Sequence, residues 1–284
     1  MLTREFDRTG IQVPIIGQGT WRMGERPSRE RQEIEALRLG LDLGLTHIDT
    51  AEIYGDGHTE ELVGKAIAGR RHEVFLVSKV SPEHASYTGT IRACEGSLRR
   101  LRTDYLDLYL VHWWSERYPI EETMRAMEDL VAAGKIRFIG VSNFTVEQME
   151  RAARALTRER IVCNQVCYHL KARQIEYRVL PYCEERGIAV VGYSPFGSGD
   201  FPSPRSRGGR VLAEIGAKYG KTPHQVALNV LTRRPSVFAI PKASRPEHVR
   251  ENAEAVGWTL APEDLAALDA VFPPPTRERP LPMI

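Results

Sequence analysis

The chain has 284 residues, 42% of them hydrophobic and 27% charged, and its 39 Lys and Arg against 37 Asp and Glu leave a formal charge of +2. That balance supplies a substantial core and argues against a nucleic-acid or membrane surface made by bulk charge. No apolar run approaches the roughly 20 residues that span a bilayer, and the early charges of residues 1–7 do not fit a secretory signal. The four cysteines read as buried reduced thiols of a cytoplasmic protein. Cys163 and Cys167, four apart on one strand, stand about 13 Å from each other at roughly 3.3 Å per residue, too far to bridge.

In chain order, residues 3–13, with Asp7-Arg8-Thr9-Gly10 in the middle, predict a short hairpin turned by a glycine. Residues 15–20 are a first strand running out into Trp21. Ser28 is placed to cap a helix whose Ile34, Leu37 and Leu41 share one face before Gly44 ends it. The pattern then repeats. Strands at 46–49, 74–79, 106–112 and 136–141 are followed by helices at 60–68, 90–100, 120–133 and 146–156. A sixth and a seventh strand, 161–166 and 188–193, flank a helix at 176–186 that stops at Gly187. A Gly/Pro/Ser/Arg loop over 195–209 leads to helical segments at 211–219 and 223–232. The eighth strand, 237–241, and its helix, 246–255, come next, then an added helix at 263–271 and a Pro-rich tail.

Most of these strands are apolar throughout, as expected where helices cover the outside of a parallel sheet. Eight strand-then-helix units with no break in composition predict an α/β fold: a closed (β/α)8 barrel of the TIM type, in a single domain over 1–284, with an N-terminal hairpin and an added C-terminal helix. A doubly wound sheet is the competitor. For a dinucleotide it wants Gly-x-Gly-x-x-Gly after its first strand, and Gly17-Gln18-Gly19 has neither a third glycine nor a helix directly behind it.

A barrel gathers the loops at the carboxyl ends of its strands on one rim. Asp49, Lys79 and His112 end the second, third and fourth strands, and Tyr54 stands on the loop after the second. Each alone reads as a solvated charge or a satisfied core residue. Four titratable groups on adjacent strand ends predict a proton-transfer site.

Here the residues resemble the aldo-keto reductases. The resemblance is carried by Gly17-Gln18-Gly19-Thr20-Trp21, Ile48-Asp49-Thr50-Ala51 through Tyr54-Gly55, Val77-Ser78-Lys79 and Leu110-Val111-His112-Trp113. Ile139-Gly140-Val141-Ser142-Asn143-Phe144, Asn164-Gln165, Tyr193-Ser194-Pro195-Phe196-Gly197 and Ile240-Pro241-Lys242 through Glu251-Asn252 continue it to residue 252 in the family's order. It implies reduction of a carbonyl by hydride from a nicotinamide, without a metal. Tyr54 would be the proton donor, Lys79 would lower its pKa, Asp49 would hold Lys79 by a salt bridge, and His112 would fix the carbonyl.

The same resemblance assigns the cofactor contacts. Ser142, Asn143 and Gln165 match the trio that holds the nicotinamide carboxamide, and Tyr193 the aromatic that stacks on the ring, with Thr20 and Trp21 beside them. Ser194, Phe196, Ser198 and Asp200 match the loop over the pyrophosphate. Lys242, Ser244, Arg245, His248, Glu251 and Asn252 match the adenosine end. Many relatives carry an arginine where this chain has His248; Arg245 is expected to do that work beside Lys242, giving a preference for NADPH with NADH as the weaker alternative. Trp21 and Trp113, with Trp114 and Tyr118 as further candidates, would line the substrate mouth, and a short tail after Val271 implies an open site for small aldehydes or ketones. The expected partner is a small carbonyl compound, with no nucleic acid, no membrane and a monomeric chain. A catalytically silent nicotinamide-binding barrel, acting as a sensor or partner subunit, is the alternative. A short-chain dehydrogenase would want Tyr-x-x-x-Lys, which none of the ten tyrosines supplies, and a metal hydrolase would want a ligand spacing such as His-x-x-x-His, which no histidine pair shows.

Overall fold

Strands β1 (Thr3–Glu5) and β2 (Gln12–Pro14) pair antiparallel, Thr3 opposite Pro14, through a turn that holds Asp7 and Gly10 at positive φ. In the computed structural model, which describes residues 1–284, eight parallel strands follow in chain order. They are β3 (Gln18–Gly19), β4 (His47–Asp49), β5 (Phe75–Val80), β6 (Leu106–Val111), β7 (Ile136–Ser142), β8 (Ile161–Cys167), β9 (Ala189–Tyr193) and β10 (Val237–Ala239). The ring closes between the first and the last. Ile16 bridges Ala239 in parallel, and the Gly17 and Gly19 amides donate to the Ala239 and Pro241 carbonyls at 2.8 and 3.2 Å. A Cβ on Gly19 would lie 2.5 Å from the Ile240 carbonyl oxygen, so this glycine is required by the closing of the barrel.

Helices cover the outside: α1 (Glu30–Asp42), α2 (His58–Ala66), α3 (Tyr87–Leu101), α4 (Ile120–Ala132), α5 (Val146–Arg154), α6 (Val179–Arg186), α7 (Arg207–Tyr219), α8 (Pro223–Leu231), α9 (Pro246–Ala253) and the added α10 (Pro262–Val271). Side chains alternate across each strand. Along β5, Phe75 and Val77 belong to the core inside the barrel, whereas Leu76 and Val80 join the layer under the helices. The floor of the barrel is sealed by the hairpin, whose Phe6 has no exposed surface and packs 5.0 Å, centroid to centroid, from both Phe75 and Phe238. All four cysteines are buried free thiols. No helix is long and apolar enough to cross a membrane.

The eight expected strands and the hairpin are present; the differences lie at helix starts. Ser28 does not cap α1: it sits inside a 3-10 turn, Pro27–Arg29, and α1 begins at Glu30 with no side-chain cap. Helix α3 begins at Tyr87, three residues before expectation, because the Ser86 hydroxyl accepts from the Gly89 amide. Ser206 does the same for Gly209 and starts α7 at Arg207, shortening the long loop.

Candidate active site

Period-two alternation decides what enters the barrel mouth. With Phe75 and Val77 inward on β5, Lys79 is inward too, and with Leu108 and Leu110 inward on β6 so is His112. The Lys79 ammonium is fully buried and donates to Asp49 Oδ1 at 2.6 Å and to the Thr50 carbonyl at 2.8 Å, and it lies 3.5 Å from the Tyr54 hydroxyl. Asp49 is held from the other side, its Oδ2 accepting from Gln165 Nε2 at 2.7 Å. His112 stands edge-on to Tyr54, ring centroids 5.8 Å apart. The four residues expected on one rim are together there.

Around them the backbone is shaped for display. Asn143 and Ser194 hold positive φ at the ends of β7 and β9. Asn143 Nδ2 donates to the His112 carbonyl at 3.2 Å and to Ser142 Oγ at 3.1 Å, and its Oδ1 accepts from the Tyr193 hydroxyl at 2.9 Å. Thr20 Oγ1 donates to the Asp49 carbonyl at 2.8 Å. One contributor was not foreseen. Glu52, in the loop between Asp49 and Tyr54, is buried; it accepts from the Ser81 amide at 2.7 Å and meets His84 Nδ1 at 3.0 Å. It ties the Tyr54 loop to the end of the Lys79 strand. The signal was a carboxylate in a segment that the burial of its neighbours keeps out of water.

Protonation states follow from burial and from Lys79. Burial lifts the Tyr54 phenol above its ordinary value and Asp49 pushes the same way, while Lys79 pulls down; the net direction is up. The expected influence of Lys79 is present, but desolvation outweighs it. Burial also opposes the charge on Lys79, yet Asp49 and Tyr54 more than compensate and its pKa is raised. Burial, assisted by the Lys79 charge, holds His112 well below its usual value, so its ring is neutral. Tyr54 therefore carries a proton beside an ammonium that stays charged.

Above this cluster lies a cavity of about 440 Å³ walled by Thr20, Trp21, Asp49, Ile53, Tyr54, His112, Trp113, Ser142, Asn143, Gln165, Tyr193, Ser194 and Lys242. Met283 and Ile284 also border it, so the short tail reaches the mouth. The reason is its prolines: an extended Pro-rich segment advances roughly 3.1 Å per residue and crosses a barrel end in few residues. Lys242 lines a second cavity as well, of about 420 Å³, with Ser244, Arg245 and His248 and, from the α1 side, Arg29 and Gln32. The remaining expected contacts stand apart from both. Phe196 packs against the rings of Phe201 and His224, Asp200 pairs with Lys171 at 2.6 Å, and Ser198 sits at positive φ in the turn Gly197–Gly199. Glu251 accepts from Thr222, and Asn252 is buried in α9. Trp114 turns away onto Phe144, with its indole N–H on Glu116, and Tyr118 lies beside Arg117.

Comparison with known proteins agrees with this geometry. A family model described as the Aldo/keto reductase family matches residues 15–272. Among relatives, a methylglyoxal reductase, YeaE, of Escherichia coli (strain K12) is 45% identical over 278 residues, 96% of each chain. A glyoxal reductase of Bacillus subtilis (strain 168) is 35% identical over 266 residues, 92% of this chain and 90% of its own. Among solved structures, an aldo-keto reductase of Klebsiella pneumoniae in complex with NADPH superimposes over 100% of both chains with a TM-score of 0.94 at 46% identity. With the barrel, the strand-end cluster and a family match over most of the length all in agreement, the chain belongs to the aldo/keto reductase family and is an oxidoreductase.

Proposed function

We propose that this chain reduces small aldehydes and ketones, α-oxoaldehydes such as methylglyoxal among them, using NADPH, with Tyr54 as the proton donor. The observation that carries the reading is the buried Tyr54–Lys79–Asp49 chain opening on a cavity with a basic annex. The residues present fit a phosphorylated nicotinamide cofactor. Ser142, Asn143, Gln165 and Tyr193 present an amide-binding edge and a ring in the first cavity, and Lys242 joins it to a second cavity that carries cations and no carboxylate. When bound, NADPH supplies hydride to the carbonyl carbon. The carbonyl oxygen gains negative charge, and Tyr54 Oη gives it a proton. Lys79 stabilises the phenolate left behind, Asp49 and Gln165 keep Lys79 in place, and neutral His112 can donate to the carbonyl oxygen and set its approach. This reading invokes no metal; the cation of the site is Lys79. Residues 1–284 act in it as one barrel domain, since Lys242 borders both cavities.

The relatives' names support the substrate class, and the apolar rim of Trp21, Ile53, Trp113 and Met283 favours a small carbonyl carrying a short side chain. The test is consumption of NADPH, followed by its absorbance, on addition of methylglyoxal, glyoxal and a panel of simple aldehydes and ketones, with NADH in parallel. Turnover with NADPH and weaker turnover with NADH is the expected result. No turnover with any carbonyl, in the presence of tight NADPH binding, would favour a silent binding protein instead.

A further inference from the structure

The basic cavity beside Lys242 contains a cation that neither the end of β10 nor the start of α9 provides. Arg29 reaches it from the opposite wall, out of the 3-10 turn that leads into α1. The acidic groups that follow Arg29 in sequence are engaged elsewhere, Glu30 with Lys65, Glu33 with the Gly24 amide and Glu35 with Arg31, and Glu25 before it does not line the cavity. The guanidinium is exposed and keeps its donors. The two walls are fixed to each other, because Gln32, one helical turn on, donates to the Ser244 carbonyl at 2.8 Å.

The other wall has part of its hydrogen bonding already spent. Lys242 donates to Ser244 Oγ at 2.7 Å. Arg245 Nη2 lies 2.9 Å from His248 Nε2, and since guanidinium only donates, that nitrogen is the acceptor in this contact. His248 thus orients Arg245. A phosphate monoester carries about −1.5 to −2 at pH 7 and offers three acceptor oxygens, each able to accept more than one hydrogen bond, so a third cation finds acceptors beside Lys242 and Arg245.

We propose that Arg29 is a specificity-determining residue of the cofactor site, its guanidinium closing on the 2′-phosphate of NADP(H) from the α1 side, opposite Lys242 and Arg245. This rests on the nicotinamide reading above, and its failure is separable from the failure of that reading. Dissociation constants are measured for NADPH, NADH, adenosine 2′,5′-bisphosphate, 5′-AMP and inorganic phosphate on wild type, Arg29→Gln and Arg29→Lys, by quenching of tryptophan fluorescence or by calorimetry. Loss of a charged hydrogen bond weakens NADPH and the bisphosphate by about tenfold or more in Arg29→Gln, and the ratio of NADH to NADPH dissociation constants falls by the same factor. Arg29→Lys recovers part of the loss, a point charge without the fork, and keeps the test decisive should the glutamine variant fail to fold. Unchanged constants, or equal weakening of both cofactors, overturn the role of Arg29 and leave the proposed function standing. Equal binding of NADH and NADPH by wild type overturns the 2′-phosphate site, as does competition by inorganic phosphate as tight as the bisphosphate. A wild type that binds neither cofactor overturns both readings.

Discussion

At the mouth of the barrel Asp49, Lys79 and Gln165 are out of water and bonded to one another, whereas His47, two residues earlier on the strand of Asp49, is as deeply buried and has no partner on either ring nitrogen. The two layers share strands and differ in company. At the mouth, charge meets charge, and the pairing holds an ammonium where a reacting oxygen would lie. At the floor, His47 stands edge-on to Phe75 and Phe6, and the hairpin keeps solvent away. The difference shows what burial does to a titratable group. With a counter-ion the group stays charged; without one it gives up its charge, and burial pushes His47 down to about 3 with Lys79 adding to the effect.

Removing the mouth's proton donor breaks the comparison on the functional side. Tyr54→Phe keeps the ring and the Asp49–Lys79 pair, so carbonyl reduction falls by about 10²–10⁴ while NADPH affinity and melting temperature stay close to wild type. Lys79→Met is impaired to a similar degree but also strips the ammonium from a buried carboxylate, at a cost of about 3–5 kcal/mol in stability. The double variant should be little slower than either single one, because the two residues act as a unit. Turnover by Tyr54→Phe near the wild-type rate would remove the phenol from the mechanism.

The floor is expected to answer in stability alone. Phe6→Ala opens a cavity between Phe75, Phe238 and His47 and should cost about 3–5 kcal/mol in urea unfolding, with kcat and KM of the folded enzyme nearly unchanged. A loss within about 0.5 kcal/mol, the range of surface substitutions, would show that the hairpin does not seal the barrel.

The sequence showed the mouth better than its surroundings, and the reason is periodicity. Once β4, β5 and β6 are recognised as strands, the step of two from Phe75 to Val77 to Lys79, and from Leu108 to Leu110 to His112, sends the last residue inward at the rim. Nothing comparable constrains Arg29, Ile53 or Met283, which reach the cavities from a turn, a loop and the tail. Their positions depend on how the chain packs across the barrel end. Helix α3 shows a weaker case: Ser86 was available as a cap, but Gly89 in the first turn masks the start of the helical pattern. The net direction of the Tyr54 shift was also beyond reach, since the residue types reveal the charge of Lys79 but not the depth at which the phenol lies.

The smallest of these effects sharpens the comparison through pH. In the unfolded chain His47 titrates near 6.5, and in the folded one near 3. Between those values the unfolded state binds a proton that the folded state refuses, so unfolding free energy falls as pH falls. The contribution is fully retained above about 6.5 and is lost progressively toward 3, at about 1.4 kcal/mol per pH unit, or about 2 kcal/mol by pH 5. His112, also held low, acts in the same direction and remains as background. His47→Leu removes the titration and two unpaired buried nitrogens while filling similar space. Its stability at pH 7 should therefore match or exceed wild type, and its loss between pH 7 and pH 5 should be smaller than that of wild type by about 2 kcal/mol. Urea unfolding of both proteins at the two pH values measures this directly. Equal acid sensitivity in the two would mean that His47 is solvated or partnered in solution, and that the floor is not the dry layer described above.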